Sequence, residues 1–203
     1  MNSIIVVPGA ASGLTNEMVD EKFNLFKESS ILLTGFEIPL DVAKYSLKKA
    51  KSKNLKTILN PAPYFNINYE TYKLVDYLTP NEHEASALTN INIKTVDDAR
   101  VAGKKICELG VGTSIITMGE KGLLCTRNSL DDEGLHLPSI KIKDRVIDTV
   151  GAGDVFNGAF ATAISEKMEL EDALNFANKA ASLSVRRKGA ALSAPLRNEI
   201  NQL

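Results

Sequence analysis

Asp148-Thr149-Val150-Gly151-Ala152-Gly153-Asp154, running on into Val155-Phe156-Asn157-Gly158-Ala159-Phe160, is the stretch on which the fold turns. Val155, Phe156, Ala159, Phe160, Ala163 and Ile164 recur at helical spacing, so Gly151 and Gly153 fall at a helix start. The first N–H groups of a helix have no internal acceptor and the helix dipole adds positive charge, so Gly151, Ala152 and Gly153 make an anion hole. Glycines let a phosphate come close to the backbone. An aspartate there repels an anion. Asp154 makes sense instead as a base that takes a hydroxyl proton while backbone donors stabilise a phosphoryl group in transfer. The plainer reading is a helix-start acid favoured by the dipole, with glycines that form a tight turn.

Outward from this segment, short apolar runs alternate with amphipathic ones. Strands are expected at Ser3–Val7, Ile31–Thr34, Lys56–Leu59, Leu74–Leu78, Ser114–Met118 and Gly122–Thr126, with an edge strand at Leu135–Ile142. Helices are expected at Asn16–Lys27, Leu40–Lys51, Glu82–Leu88, Val96–Leu109, Gly151–Glu166 and Glu169–Arg187, with a last one from Leu196. In the second of these, Val42, Ala43, Leu47 and Ala50 form the apolar face and lysines the other. Such alternation implies βαβ units: an α/β fold of three layers, α/β/α, with a mostly parallel sheet, in one domain over residues 1–203. Ligands of such sheets bind outside the carboxyl ends of the strands. The Pro- and Gly-marked segments after Leu59, Leu78, Met118 and Ile147 should therefore share one rim.

The longer string Asp148 to Gly158 closely resembles the C-terminal signature of the ribokinase (PfkB-type) carbohydrate kinase family. The resemblance implies a ribokinase-like fold, ATP as phosphoryl donor, Asp154 as catalytic base that also meets the substrate hydroxyl, and Gly151 to Gly153 as the anion hole. Pro80-Asn81-Glu82-His83-Glu84-Ala85 resembles the family's Asn-x-x-Glu element, which implies that Asn81 and Glu84 order Mg²⁺-bound water and phosphate. Alone, the same residues read as a helix N-cap with acids in its first turn. Thr117-Met118-Gly119-Glu120-Lys121-Gly122 resembles the segment under the nucleotide, implying that Thr117, Gly119 and Gly122 approach it; the alternative is an ordinary hairpin turn. Asn178 matches a nucleotide-contacting position, or else is a solvated helix residue.

Arg186 to Pro195 resembles the loop that holds a monovalent cation. By that resemblance Asp148, Val150, Ser184, Arg187, Gly189 and Ser193 would bind an activating K⁺, mostly through carbonyls. A basic helix end capped by Gly189 is the alternative. Glu37, in Gly35-Phe36-Glu37-Ile38-Pro39, matches a glutamate beside the sugar. Asn60-Pro61-Ala62-Pro63 is typical of ribokinases and reads as rigid loop. Ser12 stands where a substrate-side loop usually carries Asn.

The resemblance covers about the last two thirds of the family pattern. The glycine-pair hinge, the sugar-binding Asp and Asn and the lid strands have no counterpart in this sequence. The expectation is a fragment, a truncated product, or a chain completed by a partner, with weak or no sugar kinase activity alone. Positioning supplies most of the effect in phosphoryl transfer, and an unoriented hydroxyl gains little from a base. The parent activity implied is phosphorylation of ribose to ribose 5-phosphate. Fructose, adenosine or another nucleoside are the alternatives within the family, and a catalytically silent nucleotide-binding or assembly module is the alternative outside it. A sugar is the expected small-molecule partner. A homodimer is possible, although the lid interface is missing.

The bulk properties agree. The 203 residues are 44% hydrophobic and 24% charged with a formal net charge of -1, which suits a packed core and offers no basic excess for nucleic acid or anionic lipid. Cys107 and Cys125 lack metal-site spacing and a nearby base, and read as small buried hydrophobes. The apolar run at Ile4–Val7 is too short for a signal-peptide core and no stretch approaches a membrane span, so a cytoplasmic protein is expected.

Overall fold

The computed structural model describes residues 7–129, 133–141 and 145–203. Among these residues six strands form one sheet in chain order: β1 (Ile31–Gly35), β2 (Lys56–Asn60), β3 (Tyr77–Leu78), β4 (Thr113–Thr117), β5 (Leu123–Arg127) and β6 (Leu135–Leu137). The first three pairings, β1 to β4, are parallel; β4 with β5 and β5 with β6 are antiparallel. The helices are α1 (Asn16–Leu25), α2 (Leu40–Ser52), α3 (Tyr69–Tyr72), α4 (Glu82–Thr89), α5 (Val96–Glu108), α6 (Ala152–Ser165), α7 (Leu170–Ser184) and α8 (Arg197–Asn201).

Side chains alternate across a strand, so neighbours in sequence feed opposite layers. Leu59, Ile116 and Leu124 join the core under α2, α4 and α5, together with Ala43, Leu47, Ala99 and Ile106. Their neighbours Ile58, Ile115 and Leu123 join the core under α6 and α7, with Phe156, Phe160 and Leu174. This is the three-layer α/β/α arrangement that the sequence implies. Cys107 and Cys125 are buried, and the Cys107 thiol donates to Thr126 O at 3.4 Å.

Boundaries agree for α2, whose buried Val42, Ala43, Leu47 and Ala50 are the expected face. Other elements differ, among them α7, which ends at Ser184 rather than Arg187. The expected strand Leu74–Leu78 shrinks to Tyr77–Leu78, because Leu74 N–H and Val75 N–H donate to Thr71 and Tyr72 carbonyls and close a turn after α3. The helix expected at Asn16–Lys27 ends at Leu25; in α1 Val19 is buried while Met18 is exposed, as is Phe26 just past its end, since α1 packs on α2 through a polar seam of Asp20, Lys49 and Tyr45. The edge strand β6 ends at Leu137. The expected strand at Ser3–Val7 lies almost wholly outside the described residues. Among the described residues β1 borders the sheet on one side and β6 on the other. No helix of the described residues is long and apolar enough to cross a membrane.

Parallel pairing puts the carboxyl ends of β1, β2, β3 and β4 on one rim, at Gly35, Asn60, Leu78 and Thr117. The loops there are stitched together. Phe36 N–H donates to Ala62 O at 3.0 Å, and Thr79 N–H donates to Leu59 O at 3.0 Å.

Candidate active site

Gly151 is the residue before α6 and has φ 77°, a left-handed conformation that glycine adopts without strain. A Cβ on it would stand 2.9 Å from Ala190 Cα, so the glycine also permits close contact with the loop before α8. Beyond it the chain enters α6 with two N–H groups uncommitted. Ala152 N–H donates to Thr149 O and Val155 N–H to Gly151 O, whereas Gly153 and Asp154 N–H have no acceptor among the described residues. Gly153 has open space where a Cβ would stand. Asp154 is exposed in the first turn of this 14-residue helix. A groove of about 630 Å³ opens beside it, lined by Gly151, Asp154, Val155, Phe176, Ala190 and Ile200 among others. Unpaired donors, a helix dipole and an accessible carboxylate thus occupy one turn.

Asn157 ties this turn to the rim. Its amide Nδ2 donates to Gly153 O at 3.0 Å, and its Oδ1 accepts from Thr79 Oγ1 at 2.7 Å. Thr79 follows β3 directly, so the start of α6 sits over the carboxyl ends of the parallel strands. The sequence reading gave Asn157 and Thr79 no role. Their side chains lie 78 residues apart, and the signal available was a polar residue on the apolar side of α6.

Asn81 and Glu84 form a reciprocal cap at the start of α4. Asn81 Oδ1 accepts from Glu84 N–H at 2.9 Å, and Glu84 Oε2 accepts from Asn81 N–H at 2.8 Å. The plainer N-cap reading is therefore realised, and it leaves Asn81 Nδ2 and Glu84 Oε1 for another partner. Burial raises the Glu84 carboxyl above its ordinary value, while the Asn81 N–H bond works the other way. Thr117 is drawn to this cap: its N–H donates to Pro80 O at 3.0 Å and it bridges Asn81. The turn after β4 is a short 3-10 segment, Gly119–Lys121, pinned to α4 by a 2.7 Å ion pair between Lys121 and Glu82.

Gly119 has φ 53° and open space around its missing Cβ. Gly122 is different. It is buried, and a Cβ there would stand 2.0 Å from Leu137 O. Asn178, expected either against nucleotide or in solvent, is buried and donates to Pro138 O at 2.9 Å. Gly122 and Asn178 thus both meet the segment after β6.

Asp148 joins the turn before α6 to the loop after α7. Its carboxylate accepts from Val150 N–H and Gly189 N–H, both at 3.0 Å. The Gly189 N–H bond, then the Val150 one, holds its carboxyl below the usual carboxylate value. Ser184 and Ser193 are buried, with hydroxyls committed to Ala181 O and Ala190 O. Arg187 forms an ion pair with Glu199 of α8. Asp148, Val150 and Gly189 are therefore brought into contact, while Ser184, Arg187 and Ser193 build the loop around them. Glu37 is exposed just past β1, on the same rim. Ser12 Oγ donates to Gly9 O in a 3-10 segment at Gly9–Gly13.

Comparison with known proteins bears on the family. A model of the pfkB family of carbohydrate kinases matches residues 1–197. The chain is 36% identical over 201 residues to the ribokinase of Haemophilus influenzae, covering 98% of this chain and 63% of that protein. It is 38% identical over 202 residues to the ribokinase of Bacillus subtilis, covering 100% and 64%. The structure of Arabidopsis thaliana ribokinase complexed with ribose and ATP matches with a TM-score of 0.90 at 33% identity, over 100% of this chain and 64% of that one. The chain thus spans a little under two thirds of the length of these relatives, and it belongs to the pfkB family of carbohydrate kinases.

Proposed function

We propose that this chain carries the nucleotide- and phosphoryl-handling machinery of an ATP-dependent sugar kinase of the ribokinase type, whose acceptor is a hydroxyl of ribose. The observation that carries the reading is the start of α6, where the uncommitted N–H groups of Gly153 and Asp154 share one turn with an exposed carboxylate. In this reading Asp154 accepts the proton of the attacking hydroxyl. The Gly151–Asp154 backbone donates to the phosphoryl oxygens as charge spreads over them. Asn81 and Glu84 fit a Mg²⁺ held through water, because the cap leaves one oxygen of Glu84 unused and Mg²⁺ keeps much of its hydration. When bound with ATP, the ion neutralises phosphate charge. Thr117 and Gly119 border the nucleotide; Gly119 fits this by the open space around it. Asp148, Val150 and Gly189 with the surrounding loop would seat K⁺ through carbonyls, next to the anion hole they help to shape. Glu37 would face the sugar. The homology to ribokinases supports ribose over the other acceptors of the family.

A second reading rests on the length of the match. A chain spanning under two thirds of its relatives, with β1 at the sheet border among the described residues, can bind nucleotide without turning it over. One pair of measurements separates the two. Purified chain is titrated with ATP and Mg²⁺ by calorimetry, then assayed for ribose-dependent ADP formation, with Asp154→Asn as control. Turnover abolished by Asp154→Asn supports the kinase. Binding without turnover, unchanged in kind by Asp154→Asn, supports the silent module. Absence of ATP binding overturns both.

A further inference from the structure

We propose that Asn157 and Thr79 are a positioning pair that aims the Asp154 N–H and sets it in register with the Asn81–Glu84 cap; this rests on the phosphoryl-transfer reading above. A peptide unit is planar, so the direction of its N–H follows from that of its C=O. The Gly153 carbonyl and the Asp154 N–H belong to one unit. Asn157 Nδ2 donates to that carbonyl at 3.0 Å, and so holds the plane whose other end is an uncommitted donor at the anion site. The amide of Asn157 is itself held, because its Oδ1 accepts from Thr79 Oγ1 at 2.7 Å. Both side chains are buried, Thr79 with 3% and Asn157 with 5% of its surface exposed, so water does not offer the amide another partner. Thr79 is anchored in turn through its N–H to Leu59 O, and it lies two residues before Asn81, whose neighbour Pro80 accepts from Thr117 N–H.

An unbroken path of hydrogen bonds and short chain therefore runs from the donor beside Asp154 to the cap that would order metal-bound water. Neither side chain reaches the groove beside Asp154. Their effect is on geometry, where an error of about 1 Å is worth as much as a hundredfold in rate. A buried polar pair on the apolar side of α6 has no comparable use in packing alone, since an apolar pair would fill the space without desolvating two polar groups.

The test uses the full chain and three variants: Thr79→Val, which keeps shape and removes the hydroxyl; Thr79→Ser, which keeps the hydroxyl; and Asn157→Leu. In nucleotide-free protein, the ¹⁵N order parameter of the Asp154 amide is measured. It should fall from about 0.85 to below about 0.6 in Thr79→Val and Asn157→Leu, and stay high in Thr79→Ser. In parallel, ATP affinity is measured with Mg²⁺ and with chelator. The enhancement by Mg²⁺ should shrink about tenfold in Thr79→Val and return in Thr79→Ser, within the range of a lost buried hydrogen bond. A folded Thr79→Val with an Asp154 amide as rigid as before, or with mobility spread evenly along α6, overturns the proposal. So does an undiminished Mg²⁺ enhancement. If the unaltered chain binds no ATP, the kinase reading fails by itself, and the order parameters still decide whether the pair aims this amide.

Discussion

The carboxylate of Asp148 accepts from the backbone N–H of Gly189 at 3.0 Å, across 41 residues of chain. With its second bond, to Val150 N–H, it fixes the turn that enters α6 against the loop that leaves α7. These bonds favour the ionised form and hold the Asp148 carboxyl below its ordinary 3.8. The folded value is the lower one, so the stabilisation is complete above the unfolded value and is lost as pH falls through the folded value. Asp148→Asn offers one acceptor where two donors wait. The variant should be less stable than the parent at pH 7, and the gap in urea midpoints should close as pH drops below about 4. A gap independent of pH between 7 and 3 would contradict this.

Gly151→Ala should be costly for two reasons that act together. The residue has φ 77°, and the new methyl would sit 2.9 Å from Ala190 Cα. A left-handed non-glycine residue costs about 1–3 kcal/mol. For a chain of this size that lowers Tm by roughly 2–4 °C per kcal/mol. Relief by moving the loop at Ala190 would also displace Gly189 from Asp148, so ATP affinity should fall with stability. A variant with unchanged Tm would show that the Gly151–Ala190 contact is not a constraint.

The layers were legible in the sequence because their signals are local. Ile58-Leu59, Ile115-Ile116 and Leu123-Leu124 are apolar pairs with one member for each face, and the period of α2 alone marks its buried side. The α6 start was legible because glycines, acid and apolar spacing lie within a few residues. What escaped depends on distant partners. Asn178 reads as a helix polar residue until Pro138, 40 residues away, accepts from it. The loss of Leu74 to Asp76 from the strand expected at Leu74–Leu78 follows from α3, where Asn68 caps a four-residue helix of aromatic and polar residues with little helical periodicity. The exposed Met18 of α1 and Phe26 just past its end show the converse: apolar spacing states which face a helix offers, not what covers it.

Phe160 tests the second core. It is fully buried, stacks on Phe156 with centroids 6.2 Å apart and meets Tyr77 edge-on at 5.2 Å. Phe160→Ala removes a buried aromatic from between α6 and the sheet and should cost about 3–5 kcal/mol. Urea unfolding followed by circular dichroism measures it. A loss under 1 kcal/mol would mean that α6 is not held to the sheet by this ring.

Glu84 should show stability and function pulling apart. Burial raises its carboxyl above the ordinary 4.5. The folded state then holds the proton more tightly than the unfolded one, so ionisation above the folded value costs stability that is absent at lower pH. Glu84→Gln carries no charge and still offers an oxygen to Asn81 N–H. The variant should match or exceed the parent in Tm at pH 7 and lose that advantage near pH 4. Its ATP affinity should respond less to Mg²⁺. A variant less stable at pH 7 would show that the charge helps the cap more than burial harms it.

Gly119 and Gly122 bracket one turn and should fail in different ways. Both have positive φ, 53° and 89°, so alanine at either position carries a backbone cost of about 1–2 kcal/mol. Around Gly119 no heavy atom lies within 4 Å of the added carbon, so the fold bears that cost alone. At Gly122 the carbon would stand 2.0 Å from Leu137 O and 2.6 Å from the Pro138 carbonyl carbon, backbone atoms that cannot turn aside. Moving them shifts the Pro138 carbonyl that Asn178 holds, so the strain passes into α7. Gly122→Ala should therefore destabilise the whole chain by several kcal/mol more than Gly119→Ala, seen as a lower urea midpoint. Gly119→Ala should lower the midpoint by no more than that backbone cost yet weaken ATP binding, because on the proposed reading its methyl enters the space beside the nucleotide. Equal stability losses with equal ATP affinities would place Gly119 away from the nucleotide and leave the turn a purely structural device.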